Sequence, residues 1–482
     1  MDSNFIKQKT AAELRELLQN GESNAKAALA SLFDGGSFAE LGAYIKRVPG
    51  ELESAEMAEF EGVVTGYGAV NGRLTFAFIQ DSSKNKGAFG ASHAEKIIRL
   101  YDAAIKNEAP VVGIFDSNGA FVLEGVGALA GYGKLMKKVN EACGLIPQIA
   151  VISGKCGGSA AVIASMFDFT IAADDKGEFY VNPPFIAREQ LKDKALGTAA
   201  YAAESGAVDL TAADTAAAIA KAKEILSAIP QSAFDGLVIG DETDNINRLT
   251  PELEGLAAGG DYDMKALIAA VSDAGKFVEI GDKYAPEMVC GFASFNALSV
   301  GVVASQPKEK NGALTEAAAL KAAAFIDFCG RFDIPLLTLA DSCGCDLESE
   351  KGRYPAALAS LAAAYTSYDN PKVTVITGET YGAAYTLLGS KSLGVDVALA
   401  LDCASVAAMS VEAAVQFTNG KKIASAKDPA KEKAAIAEKF NDVLASPLAA
   451  ARAGELDDII AYEELRQRIT SSFELLTAKY GG

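Results

Sequence analysis

The chain has 482 residues with 44 Lys and Arg against 63 Asp and Glu, a formal charge of −19 at pH 7 that argues against nucleic acid and anionic membrane surfaces as partners. Half of its residues are hydrophobic and 22% are charged, the balance of a globular protein with an ample core, long enough for two large domains or about three ordinary ones. Seven scattered cysteines, no bilayer-length apolar run and no basic-then-apolar start at Met1 to Lys7 point to a cytoplasmic protein without a leader.

Residues 11–19 place Leu14, Leu17 and Leu18 on one face and stop at Asn20-Gly21, so a helix is expected there. Residues 24–33 repeat the pattern before Asp34-Gly35-Gly36, and the two segments read as a lead-in hairpin. Residues 61–79 alternate apolar positions around turn signals at Gly66-Tyr67-Gly68 and Asn71-Gly72. Ser92-His93-Ala94-Glu95 has capping-box spacing and opens a helix to Lys106. His93 is the one histidine, so a Ser–His hydrolase would depend on it; in a first helical turn it reads instead as a surface cap.

Strand 111–115 leads into Asp116-Ser117-Asn118-Gly119-Ala120, and 123–143 reads as a helix interrupted by Gly125, Gly127, Gly131 and Gly133. Glycines there cost helix stability unless a helix or a ligand packs closely. A buried strand over 149–152 then reaches Gly157-Gly158-Ser159, followed by helical 160–167. Residues without bulk at a strand-to-helix turn let a ligand approach backbone N–H groups, where negative charge is favoured. One such turn alone is better explained as a tight strand-to-helix connection. Strand 168–173, Gly206-Ala207-Val208-Asp209 and a helix over 212–226 close the first half, and the polar stretch 230–251 sets the expected domains at 1–245 and 246–482.

The second half repeats the first. Pro-Gln-Ile-Ala-Val-Ile-Ser-Gly at 147–154 returns as Pro-Lys-Val-Thr-Val-Ile-Thr-Gly at 371–378, and Asp116-Ser117 returns as Asp341-Ser342. Gln80 pairs with Gln306, and Gly206 to Asp209 is echoed at Gly454 to Asp457. Offsets of 378 − 154 = 224, 341 − 116 = 225 and 306 − 80 = 226 indicate a duplicated domain rather than a solenoid. After the second copy, Tyr381-Gly382-Ala383-Ala384-Tyr385 again opens a helix with small residues. A final amphipathic helix carries Leu465, Ile469, Phe473 and Leu476.

Gly62-Val63-Val64-Thr65-Gly66-Tyr67-Gly68 resembles the biotin-dependent acyl-CoA carboxyltransferase family, a crotonase-superfamily branch. So do 124–133, Ile146-Pro147-Gln148-Ile149, Ser305-Gln306-Pro307, 372–377 and 381–385, in the family's order from about residue 32 to 476. The resemblance implies an α/β fold of two tandem crotonase-like domains, each a ββα superhelix, arisen by internal duplication. The N-terminal half would hold the acyl-CoA, and the C-terminal half carboxybiotin. The two would meet across a dimer, usually within a hexamer. Carried across by alignment, the catalytic amides fall on Gly158 and Ser159 in the first half and on Ala383 and Ala384 in the second. Gly157, Gly119, Ala120, Gly382 and Gly344 are the neighbouring binding positions, and no metal is implied.

The implied chemistry needs few acids and bases, since one oxyanion hole holds the thioester enolate and the other the biotin oxygen. No Ala-Met-Lys-Met sequence and no Walker loop occur, so biotin would arrive on a biotin carboxyl carrier protein, charged by a biotin carboxylase or served by a membrane decarboxylase subunit. The chain departs from the family at Phe121, where an arginine is usual, at Gly378-Glu379, where a basic pair is usual, and at Thr386, where many relatives have aspartate. Cys343-Gly344-Cys345 lacks a second cysteine pair or histidine and reads as a small-residue turn. Two rival readings stay open: a crotonase-type hydratase or thioesterase using Glu124, and a catalytically degenerate partner subunit.

Overall fold

The computed structural model describes residues 10–11, 13–14, 24–47, 60–240, 244–253 and 262–478, so most of the helix expected over 11–19 lies outside the described residues. The chain divides into two compact units, Met1–Ser227 and Ala228–Gly482.

In the first unit, α1 (Asn24–Leu32) precedes β1 (Ala39–Leu41), β2 (Val63–Val70) and β3 (Arg73–Gln80). Asn71 and Gly72 both have positive φ, 51° and 76°, the requirement of a tight two-residue hairpin. Gly66 and Gly68 are not a turn: they lie inside β2, where a Cβ on Gly66 would stand 2.5 Å from the Ala39 carbonyl. Glycine here allows the short β1 to lie against β2, with Glu40 opposite Gly66.

There follow α2 (Ala91–Lys106), β4 (Val111–Phe115), α3 (Val126–Ala142), β5 (Gln148–Ile152), β6 (Lys155–Gly157), α4 (Ser159–Ala164), β7 (Phe169–Ala173), β8 (Glu178–Tyr180), α5 (Pro184–Leu191), α6 (Ala199–Glu204), β9 (Leu210–Ala212) and α7 (Thr215–Ala228). Seven strands form a sheet in the order β1-β2-β3-β4-β5-β7-β9, antiparallel across the first two pairs and parallel beyond. Every residue of β4, β5 and β7 is buried, which explains their uninterrupted apolar sequences. β6 and β8 pair in a separate small parallel layer. The helix expected over 123–143 breaks at Gly125, whose φ of 57° separates a short 3₁₀ turn from α3.

The second unit repeats this plan with α8 (Met264–Val271), β10 (Phe277–Ile280), β11 (Met288–Phe295), β12 (Leu298–Ser305), α9 (Glu316–Arg331), β13 (Leu336–Ser342), α10 (Tyr354–Thr366), β14 (Lys372–Tyr381), α11 (Gly382–Leu387), β15 (Val397–Leu401), β16 (Ser405–Ala407) and β17 (Asp458–Ile460). Its sheet order is β10-β11-β12-β13-β14-β15-β17, and β16 lies beside the end of β14. The registers repeat as well. Phe78 faces Gly113 in the first unit and Val303 faces Thr338 in the second, so 303 − 78 and 338 − 113 both equal 225. This register places Gln80 against Ser305, not against Gln306. The Gln306 side chain instead accepts from Met264 N and donates to Asp263 at the start of α8. The closing helix α12 (Leu465–Thr477) buries Leu465, Ile469 and Phe473.

The boundary falls after Ser227, 245 − 227 = 18 residues before the one expected from the polar stretch. Residues 228–240 already belong to the second core: Ser299 donates to the Ala228 carbonyl at 2.6 Å and to Val238 at 2.9 Å, and Gly240 N donates to Ala297. Among the described residues no helix is long and apolar enough to cross a membrane.

Candidate functional site

In each unit an aspartate at the end of a central strand ties two turns together. Asp116 Oδ1 accepts from Lys155 N at 3.2 Å and Oδ2 from Ser82 Oγ at 2.5 Å. In the second unit Asp341 Oδ1 accepts from Glu379 N at 3.1 Å. The glycine opposite leaves no room for more: a Cβ on Gly154 would lie 2.1 Å from Asp116 Oδ1, and one on Gly378 would lie 2.2 Å from Asp341 Oδ2. Asp341 is largely buried, and burial pushes its carboxyl up to about 6 despite hydrogen bonds from Tyr262 and Glu379 N.

The loops after those aspartates repeat bond for bond. Asn118 N donates to Lys86 O and Phe89 N to Gly119 O; Cys343 N donates to Asn311 O and Leu314 N to Gly344 O. Gly119 and Gly344 have φ of 110° and 122°, which side chains rarely adopt. The Gly119 amide is already held by Ser117 Oγ at 3.1 Å. Ala120 stands opposite Phe89 in a parallel bridge whose hydrogen bonds are made by its neighbours Gly119 and Phe121.

The strand-to-helix turns repeat too. Gly158 has φ 58° and Gly382 φ 59°. The Gly158 amide donates to the Tyr180 carbonyl at 2.9 Å, continuing the β6–β8 ladder. That bond takes Gly158 out of the set of amides open to a ligand and leaves it shaping the turn. Ser159 is the first residue of α4, and N–H groups in a first helical turn have no partner within the helix. Because Gly158 matches Gly382, Ser159 matches Ala383. Ala383 is exposed, whereas Ala384 is fully buried one position further along α11. The second pair expected at Ala383 and Ala384 therefore sits one residue off the repeat.

A cavity of about 700 Å³ opens on the first turn, lined by Gly119, Ala120, Gly157, Gly158, Ser159 and Tyr132 among others. The sequence reading missed its opposite wall, Tyr180 to Arg188, where Val181 and Phe185 are exposed and Pro183-Pro184 starts α5. The dipeptide Pro183-Pro184 was the available signal. Cavity-lining Lys155 and Arg188 are cationic; Arg188 donates to Leu196 O and stands 3.7 Å from Glu178. Tyr132 stacks on Phe89 at 3.9 Å, and burial raises its phenol above the usual range. Phe121, which stands where the family's arginine was expected, lies under the Arg47 guanidinium at 4.4 Å.

Two candidate groups have other duties. Glu124 Oε2 accepts from Ala91 N at 2.7 Å and so caps α2, which starts at Ala91 rather than at a Ser92 capping box. His93 is not a surface cap: it is fully buried, with Nδ1 3.0 Å from Glu61 Oε1 and Nε2 3.3 Å from Gln80 Nε2. Cys343 and Cys345 flank the left-handed Gly344 as exposed free thiols, and among the described residues no three His, Cys, Asp or Glu side chains cluster as metal ligands would.

The carboxyl transferase domain family matches residues 17–480. The chain is 35% identical to the methylmalonyl-CoA decarboxylase subunit alpha of Propionigenium modestum, over 95% of this chain and 91% of that one. It is equally identical, 35%, to a putative propionyl-CoA carboxylase beta chain of Bacillus subtilis, over 99% and 96% of the two chains. Among solved structures it resembles the transcarboxylase 12S hexamer with methylmalonyl-coenzyme A and methylmalonic acid bound, with a TM-score of 0.92, 30% identity and 99% and 97% coverage. The chain belongs to the carboxyl transferase domain family and is an enzyme of the acyl-CoA carboxyltransferase type.

Proposed function

We propose that the chain moves a carboxyl group between biotin on a separate carrier protein and a short-chain acyl-CoA, the first unit holding the thioester and the second the biotin. The observation that carries this reading is the duplicated turn: Gly158 and Gly382 have the same positive φ, 58° and 59°, each opening a helix beside a loop with a second positive-φ glycine. A proton transfer and a carboxyl transfer between two planar carbonyl compounds need charge to be held on one oxygen of each, and two equivalent turns supply two such places.

On the acyl side, Ser159 N–H and Ala120 N–H are the donors for the thioester oxygen, while Gly157, Gly158 and Gly119 keep the backbone bare enough for approach. On the biotin side the equivalent donors would be Ala383 N–H and Cys345 N–H, beside Gly382 and Gly344, a reading supported by the repeat. The groups present suit a ureido ring: a Cβ on Gly344 would meet nothing nearer than the Tyr381 carbonyl at 3.8 Å, so the cradle is open. Biotin, when bound, supplies the carboxyl-bearing nitrogen that also takes up the substrate's α-proton. The chain's own contribution is to hold both oxygens in fixed amide fields at no cost in reorganisation. A cavity of about 700 Å³ is in the usual range for a small-molecule site, and Lys155 and Arg188 are placed to meet anionic groups of coenzyme A. We assign the chain to the cytoplasm, acting with a biotin carrier and with either a biotin carboxylase or a membrane decarboxylase subunit.

The hydratase or thioesterase reading needs a carboxylate free to act at the first turn, and Glu124 is committed to capping α2. The test is chemical. The purified chain given methylmalonyl-CoA should release propionyl-CoA and CO2 only when free biotin is added. Release of free coenzyme A, or turnover indifferent to biotin, would contradict the proposal.

A further inference from the structure

The buried imidazole of His93 is not part of the chemistry described above, yet it connects to the acyl-side loop through one side chain. Gln80 lies between them: its Oε1 accepts from Asp116 N at 3.2 Å, and its Nε2 faces His93 Nε2 at 3.3 Å. The backbone fixes the direction of this chain of bonds. Asp116 N–H can only donate, so the Gln80 oxygen must face it and the Gln80 NH2 must face the ring. His93 Nε2 then accepts, and Nδ1 carries the hydrogen toward Glu61, whose carboxylate also accepts from Gly62 N. We propose that neutral His93 is a positioning residue for the acyl-CoA half-reaction, orienting Gln80 so that it holds the Asp116 amide and with it the loop carrying Gly119 and Ala120.

The same geometry makes the arrangement proton-sensitive. A proton on Nε2 would set donor against donor. Gln80 would have to turn its amide over, placing its NH2 against Asp116 N–H and breaking that bond. The charged groups linked to the ring belong to this account, Lys26 and its partner Glu40 included. Glu61 is the anion on the ring, held below the usual carboxylate range by the His93 hydrogen bond although burial opposes it. Lys96, on the same helix, turns its ammonium to the Val63 carbonyl, and burial pushes it down to about 8. Glu40 and Lys84 act on Lys96, Asp81 binds Ser83, and Asp116 closes the far end. The remaining wall is aromatic, with Phe89 at 4.9 Å from the ring.

The second unit provides an internal control. At the positions equivalent to Gln80 and His93 it has Ser305 and Ala318, and the Ser305 hydroxyl is buried with no partner among the described residues. Its aspartate loop nevertheless keeps the same backbone bonds, Cys343 N to Asn311 O and Leu314 N to Gly344 O. The relay is therefore not required to fold such a loop, and its presence on one side only points to that side's reaction.

This inference rests on the acyl-side reading of the first unit, and biotin-dependent turnover of methylmalonyl-CoA by the unsubstituted chain tests that reading separately. With turnover established, kcat should fall toward acid, where a proton on Nε2 would set it against the Gln80 NH2. His93→Gln, whose amide oxygen stands where Nε2 accepts but cannot titrate, should keep neutral-pH turnover and lose the acid limb. Gln80→Leu should lose about 10-fold or more in kcat at every pH with KM for methylmalonyl-CoA little changed, as expected of a misplaced loop. An acid limb that survives His93→Gln with the same midpoint overturns the proposal. So does a folded Gln80→Leu chain with unchanged kcat, which decides the matter even if His93→Gln does not fold.

Discussion

Gly158→Val should leave a folded chain whose carboxyl transfer is reduced about 100-fold or more, the usual cost of losing an oxyanion donor. The backbone at Gly158 has φ 58° and ψ −127°, a conformation open in practice to glycine alone. The nearest atom to an added Cβ is the Val181 carbonyl at 3.9 Å, so the effect comes from backbone conformation rather than from a clash. Relaxing that strain must turn the peptide that leads into Ser159, and the Ser159 N–H moves with it. Steady-state turnover, read beside the melting temperature and far-UV circular dichroism, checks the result. A chain with native melting and near-normal turnover would remove the first turn from the mechanism.

Gly382→Val should act with similar size on the other side of the reaction. Gly382 has φ 59°, and a Cβ there would stand 3.3 Å from the Ala408 carbonyl, so strain and crowding combine. The expected outcome is loss of biotin-dependent transfer by about 100-fold while calorimetric affinity for the acyl-CoA stays at its original value. Equal loss of both would mean that the second turn is not a separate half-site.

Much of this was legible in the sequence because duplication writes each feature twice. The strands 111–115 and 149–152 were readable from unbroken apolar runs, and their copies fixed the repeat. What the sequence hid were competing partners. Nothing local says that the Gly158 amide is spent on Tyr180, since that bond joins strands 22 residues apart across the β6–β8 layer (180 − 158 = 22). Glu124 looked available because its partner, Ala91 N, lies 33 residues away. His93 fell where a capping box belongs, yet the helix starts at Ala91 after Gly90, a remote carboxylate caps it, and the His93 ring is buried. The Gly66-Tyr67-Gly68 turn signal failed for a related reason: those glycines are bare so that β1 and the residues before it can lie against β2, not so that the chain can reverse.

On the proposed reading, two equivalent turns, one per unit, form the two halves of one reaction. A two-fold assembly can bring the first unit of one chain to the second unit of its neighbour. The most direct measurement mixes the two inactive chains, Gly158→Val and Gly382→Val, under conditions where subunit exchange is demonstrated, and follows biotin-dependent decarboxylation of methylmalonyl-CoA. Random pairing should restore about a quarter of the original activity, since half of the dimers are mixed and each mixed dimer has one site built from two undamaged turns. Exchange of subunits with no return of activity would contradict shared sites formed by the two turns.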